Sequence, residues 1–139
     1  MIILDTNVIS EPMKTDSAPT VIAWLDRQAA ETLYLTAISL AELLVGIAAL
    51  PDGKRKDGLG ALLEAFLSGL FDSRILPFDQ SAAAAYAPLV VRARSAGRAI
   101  GVADGQIAAI AADKGYIVAT RDTGPFLAAG VPVVNPWEA

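Results

Sequence analysis

Five short apolar runs divide this chain, and each stops at turn chemistry. Ile2-Ile3-Leu4 meets Asp5-Thr6-Asn7, Leu33-Tyr34-Leu35 ends at Thr36, and Ile75-Leu76 leads through Pro77 to Asp79. Tyr116 to Thr120 gives way to Arg121-Asp122, and Val131-Pro132-Val133-Val134 closes at Asn135. Consecutive apolar positions, rather than alternating ones, predict strands covered on both faces, as in a parallel sheet. Pro77 donates no backbone hydrogen bond, so the third run belongs at a sheet edge or a strand end. Between the runs the spacing predicts helices over about Thr20–Ala30, Ala41–Leu50, Leu59–Phe71, Ser81–Ala96, Asp104–Lys114 and Pro125–Ala129. Lys54 to Gly58 reads as loop. Strands that alternate with helices predict an α/β fold, a three-layer α/β/α sandwich with a mostly parallel central sheet. At 139 residues and 54% hydrophobic composition, a single domain over 1–139 is expected.

Chemistry is bounded by what is missing. The chain has no histidine and no cysteine. That excludes Ser-His-Asp triads, cysteine nucleophiles, disulfides and zinc–thiolate sites. Catalysis must run on carboxylates, hydroxyls, amides, Lys or Arg, or on a metal held by oxygen. Absence of cysteine fits a reducing cytoplasm, and Met1 to Asp5 has neither the basic region nor the apolar stretch of a secretion signal. No apolar run reaches the roughly 18 residues of a membrane span.

The fifteen acidic and eleven basic residues give a net charge of −4. Taken whole, that repels nucleic acid. The objection weakens if four of the acids form one cation site, because the remaining charges balance. Four acids suit this. Asp5 ends the first run, Glu42 falls in the first turn of the helix after the second, Asp104 opens a helix, and Asp122 follows the fourth run. In a parallel sheet these positions share one edge, the edge where such sheets bind ligands. Each acid also suits a helix cap, and Ser39-Leu40-Ala41-Glu42 has the form of a capping box. Asp79, which also stands between a strand and a helix, is expected to cap only.

Gathered carboxylates repel, and a hard cation such as Mg²⁺ or Mn²⁺ compensates with a preference for carboxylate and water oxygens. A metal of this kind acidifies bound water and clamps the oxygens of a phosphodiester, which supplies a nucleophile without histidine. On this reading Asp5, Asp104 and Asp122 hold the metal, with Glu42 a further ligand or water orienter. Thr6, Asn7 and Thr120 are placed to orient carboxylates or water. Arg94 and Arg98, on one helix face if the helix extends that far, and Arg121, beside Asp122, are candidate contacts for a phosphodiester backbone, as are Lys54, Arg55 and Lys56. A solvated loop is the plainer account of the lysine run. Trp24 and Trp137 are expected in packing rather than on bases.

Asp5-Thr6-Asn7-Val8 after the first run, Glu42 in Ser39-Leu40-Ala41-Glu42-Leu43, Asp104 in Asp104-Gly105-Gln106-Ile107-Ala108-Ala109, and Thr120-Arg121-Asp122 after a strand together resemble the PIN domain. More closely, the chain is similar to the toxin ribonucleases of the VapC family, FitB-like branch. The likeness runs nearly end to end, including Asn135-Pro136-Trp137, and departs at Ile110, where a small hydroxyl residue is frequent. It implies a Mg²⁺- or Mn²⁺-dependent endoribonuclease, the toxin of a type II toxin–antitoxin pair. It implies an antitoxin partner with a DNA-binding domain, a homodimer, and the family's acidic positions at Asp5, Glu42, Asp104 and Asp122.

Other acidic-cleft folds fit less well. A haloacid-dehalogenase-like phosphatase requires Asp two positions after its first aspartate, where this chain has Asn7. A phospho-receiver requires a lysine late in the sheet, where this chain has Thr120-Arg121-Asp122. A catalytically silent PIN fold that binds RNA or a partner is the non-enzymatic alternative, and the loss of an acid, its mark, is absent.

Overall fold

The computed structural model describes residues 1–69 and 71–139. Strand β1 (Ile2–Leu4) runs into helix α1 (Thr6–Ser10) and a single tight turn at Glu11–Met13, followed by α2 (Pro19–Asp26). Then come β2 (Leu33–Thr36), α3 (Ala37–Ala48), α4 (Lys54–Gly69), β3 (Ile75–Leu76) and α5 (Gln80–Ser95). The chain finishes with α6 (Val102–Lys114), β4 (Ile117–Ala119), α7 (Thr123–Ala128) and β5 (Val133–Val134).

The sheet order is β3-β2-β1-β4-β5, and every pairing is parallel, without the antiparallel member that a mostly parallel sheet allows. Ile2 sits opposite Leu33 on one side and Ile117 on the other, so the chain's first strand is the middle of the sheet. β3 lies at an edge, as Pro77 implies. Successive side chains leave a strand on opposite faces, and two cores result. Ile3 and Val118 pack with Leu89, Ile107, Ile110 and Phe126 of α5, α6 and α7. Leu4, Leu35 and Ala119 pack with Val8, Trp24, Leu43 and Leu63 of α1 to α4. Each fully buried Ile, Leu or Phe stabilises such a core by about 1.5–3 kcal/mol.

Several local expectations are corrected. Asp5-Thr6-Asn7 caps a real five-residue helix, too short to show a helical period in sequence. Helix α3 starts at Ala37, because Thr36 and not Ser39 caps it: Thr36 Oγ1 accepts the Ser39 N–H at 3.1 Å. Glu42 therefore lies in the second turn, outside any capping box. Helix α4 begins at Lys54 and absorbs the expected loop, with Lys56 reaching back to Asp52 at 3.3 Å and to the Ala48 carbonyl at 3.2 Å. Helix α5 ends at Ser95 and Gly97 turns with φ +73°, so Arg98 lies beyond the helix and shares no face with Arg94. Asp79 caps α5 as expected, accepting the Ala82 N–H at 3.0 Å.

Candidate active site

Order β3-β2-β1 winds outward in one direction, then β4 returns to the far flank of β1. The crevice between the carboxyl ends of β1 and β4 is the switch point where open parallel sheets bind ligands. Asp5 continues β1 into this crevice, its N–H bonded to the Ala119 carbonyl at 2.9 Å. It is buried, with 6% exposure. Its Oδ1 accepts the Thr6 N–H at 2.8 Å and its Oδ2 accepts the Thr120 hydroxyl at 2.8 Å. Burial pushes the Asp5 carboxyl above the ordinary carboxylate range, the Thr120 and Thr6 bonds pull it down, and the charges of Glu42 and Asp122 push it up again.

The other acids arrive from three further elements. Asp104 is the third residue of α6 and only partly buried, and Gly101, not Asp104, is the residue that caps the helix. Its carboxyl is raised from 3.8 to about 6, first by desolvation, then by the charges of Asp5, Asp122 and Glu42. Asp122 precedes α7, is exposed and makes no capping bond, which leaves its carboxylate free to turn toward the crevice. Glu42, exposed on α3, accepts the Thr6 hydroxyl at 2.9 Å. The charges of Asp5, Asp122 and Glu42 act on the Asp104 carboxyl, and those of Glu42 and Asp122 act on Asp5.

The polar neighbours bind the rim together. Thr120 is fully buried; its hydroxyl donates to Asp5 and accepts the Asp122 N–H at 3.2 Å, coupling two of the acids through one oxygen. Thr6 joins Asp5 to Glu42 across 36 residues. Asn7 Oδ1 takes the Arg121 N–H at a long 3.4 Å. Beyond Glu42 opens a groove of about 710 Å³ whose lining includes Thr6, Lys14, Glu42 and Arg55. A second hollow of about 370 Å³, lined chiefly by apolar side chains such as Leu25, Phe66 and Phe71, holds none of the four acids.

Among the described residues the side-chain ion pairs are Lys14–Glu11 at 3.2 Å and Lys56–Asp52 at 3.3 Å. Among the described residues, none of the four acids forms an ion pair, and no three acids stand close enough together to hold a metal ion. All-oxygen donors, with carboxyls raised first by burial and then by neighbouring charges, suit a hard divalent cation.

The arginines divide. The Arg98 guanidinium occupies the space over Gly124 where any side chain would stand, two residues past Asp122. Arg121 adjoins Asp122, with its guanidinium 5.0 Å from the centre of the Trp137 ring. Arg94, in the last turn of α5, has no recorded bond to the acids or their partners and suits the negative end of that helix. Sequence reading missed Gly124 as a seat for Arg98 and Trp137 as a bed for Arg121, because neither leaves a local pattern. It also missed Ser39, whose hydroxyl is fully buried and has no hydrogen-bond partner among the described residues.

The PIN domain family model matches residues 2–131. The chain belongs to the PIN domain family. This PIN domain is 55% identical over 139 residues to "Plasmid stability protein StbB" of Pseudomonas syringae pv. tomato, covering 100% of each chain. It is 51% identical over 138 residues to "VapC ribonuclease Y4jK" of Sinorhizobium fredii and 51% identical over 137 residues to "Toxin FitB" of Neisseria gonorrhoeae, covering 99% of each chain in both cases. Its fold superposes with a TM-score of 0.94 and 50% identity on a chain of "FitAB bound to IR36 DNA fragment", covering 99% of this PIN domain and 96% of that chain.

Proposed function

We propose that this PIN domain is a metal-dependent endoribonuclease, the toxin of a type II toxin–antitoxin pair. What supports the reading is Asp5, buried at the crevice between β1 and β4 and held by Thr120 and Thr6, with an Asp104 carboxyl raised by burial and by the charges of Asp5, Asp122 and Glu42. Relatives named as a VapC ribonuclease and a FitB toxin, each aligned over nearly the whole chain, support the reaction class.

Asp5, Asp104 and Asp122 would hold Mg²⁺ or Mn²⁺, with Glu42 a further ligand or water orienter. The bound cation supplies charge neutralisation toward a phosphodiester and lowers the pKa of water. The chain's own residues do the positioning. Thr120 and the Thr6 N–H fix the Asp5 carboxylate in one orientation, and the Thr6 hydroxyl holds Glu42 to α1. Raised carboxyl groups at Asp5 and Asp104 are ready to take up protons when no cation is bound. Arg98 and Arg121, rather than Arg94, face the RNA backbone.

The remaining expectations are proposals of the same kind: a cognate antitoxin with a DNA-binding domain, supported by a relative's structure in which FitAB is bound to DNA; a homodimer; one domain over the whole chain; and a cytoplasmic site of action. No described helix is long and apolar enough to cross a membrane. The decisive experiment is cleavage of a single-stranded RNA by the purified chain. Cutting is expected with Mg²⁺ or Mn²⁺, none in chelator, and none for Asp5→Asn. An Asp5→Asn protein that cuts as fast as wild type overturns the assignment. RNA bound tightly but never cut would favour the silent alternative.

A further inference from the structure

Arg121 stands at the rim of the crevice, one residue before Asp122. It is exposed, yet it pairs with no described carboxylate. Its guanidinium instead lies over the Trp137 ring, 5.0 Å from the centroid. Trp137 is well placed to be a fixed support. It packs against the α1–α4 core, its N–H is held by Asn135 Oδ1 at 2.9 Å, and the preceding Pro136 is buried. The backbone of Arg121 is tied from the other side by Asn7, itself on α1 beside Asp5.

A guanidinium resting on an aromatic face keeps its in-plane N–H donors free. A solvent-exposed arginine would otherwise lose rotamer freedom on meeting its ligand, at a cost in affinity. A guanidinium already held beside the proposed phosphodiester site meets the geometry for the paired donors that recognise phosphate. We propose that Trp137 is a positioning residue which holds Arg121 flat at the rim of the crevice, so that its guanidinium meets a phosphate of the bound RNA. The proposal rests on the nuclease reading above and adds the segment after β5 to the substrate site.

The test uses the full chain and a labelled single-stranded RNA, bound in chelator and, separately, cut in Mg²⁺. Trp137→Leu is expected to weaken binding and raise KM by about 3- to 10-fold, with kcat within about twofold of wild type. Trp137→Phe, which keeps an aromatic face, recovers most of the loss. Arg121→Gln shows a loss like that of Trp137→Leu, and adding Trp137→Leu to it costs less than about twofold more. An equal Trp137→Leu loss in the Arg121→Gln background, or no loss at all, overturns the proposal. If Trp137→Leu does not fold, Trp137→Phe completes the cycle: its small loss must vanish when residue 121 is Gln, and a loss that persists, or none, overturns the proposal. Wild type separates the two readings. A wild-type chain that neither binds nor cuts RNA defeats the nuclease reading and this one with it; a wild type that does both beside an unaffected Trp137→Leu defeats this one alone.

Discussion

Thr120 shows how a single side chain disciplines the site. Its hydroxyl is shared by Asp5 and the Asp122 backbone, at zero exposure. Thr120→Val would leave a buried carboxylate oxygen and a backbone N–H without partners, a loss of about 1–3 kcal/mol. Chemical denaturation in chelator should show it, with Thr120→Ser close to wild type. The penalty should grow as pH rises from 4 to 7, since the lost bond favours the ionised form of Asp5. Asp104 carries a separate pH signature. Its carboxyl is about 6 in the fold against 3.8 ordinarily, so the folded state binds more protons between those values. Stability is complete at low pH and falls as pH rises from about 4 through about 6. Asp104→Asn escapes this loss. In chelator its advantage over wild type should be near zero at pH 4 and reach about 1 kcal/mol above pH 6, after discount for solvent screening of a partly exposed group. An advantage independent of pH would contradict the repulsion described for this carboxyl.

At the level of elements, α3 separates two accounts of one motif. A serine three residues before a glutamate suggests a capping box at Ser39 and Glu42, but Thr36 does the capping, while the Ser39 hydroxyl is an orphan in the core. Thr36→Ala is therefore expected to destabilise by about 1 kcal/mol. Ser39→Ala should be neutral or slightly stabilising, because it removes a buried group with no partner. Thermal melts of the two variants decide it. The same helix illustrates what sequence reveals. The acids were read as neighbours because strand ends and helix starts of a parallel sheet share an edge, and Asp5 does close β1 at that edge, bonded to Ala119 of β4. What lay hidden was set by contacts across long separations: Thr6 to Glu42, Thr120 to Asp5 over 115 residues, Arg121 over Trp137. Helix α1 was hidden because five residues show no period, and the start of α4 because Lys54 to Gly58 carries no apolar stripe and two glycines bracket it.

For the molecule as a whole, the proposed cation site would tie fold stability to cation binding. A ligand that binds only the folded state stabilises it by about 2.7 kcal/mol at 100 times its Kd. Mg²⁺ or Mn²⁺ should therefore raise the melting temperature of wild type measurably over chelator. Asp104→Asn, firmer than wild type without metal, should gain little from it. Melts with and without cation, run side by side, check both directions. A cation effect of equal size in both proteins would place the binding elsewhere on the molecule.

The central place of β1 has a consequence for how the protein comes into being. Its β4 neighbour is made more than a hundred residues after this middle strand, so Glu42, Asp104 and Asp122 of the proposed site follow Asp5 in instalments. Until Asp122 has emerged, no nascent fragment owns the complete set. On the nuclease reading, a fragment that stops short of Asp122 lacks one of the four acids and should not cut RNA.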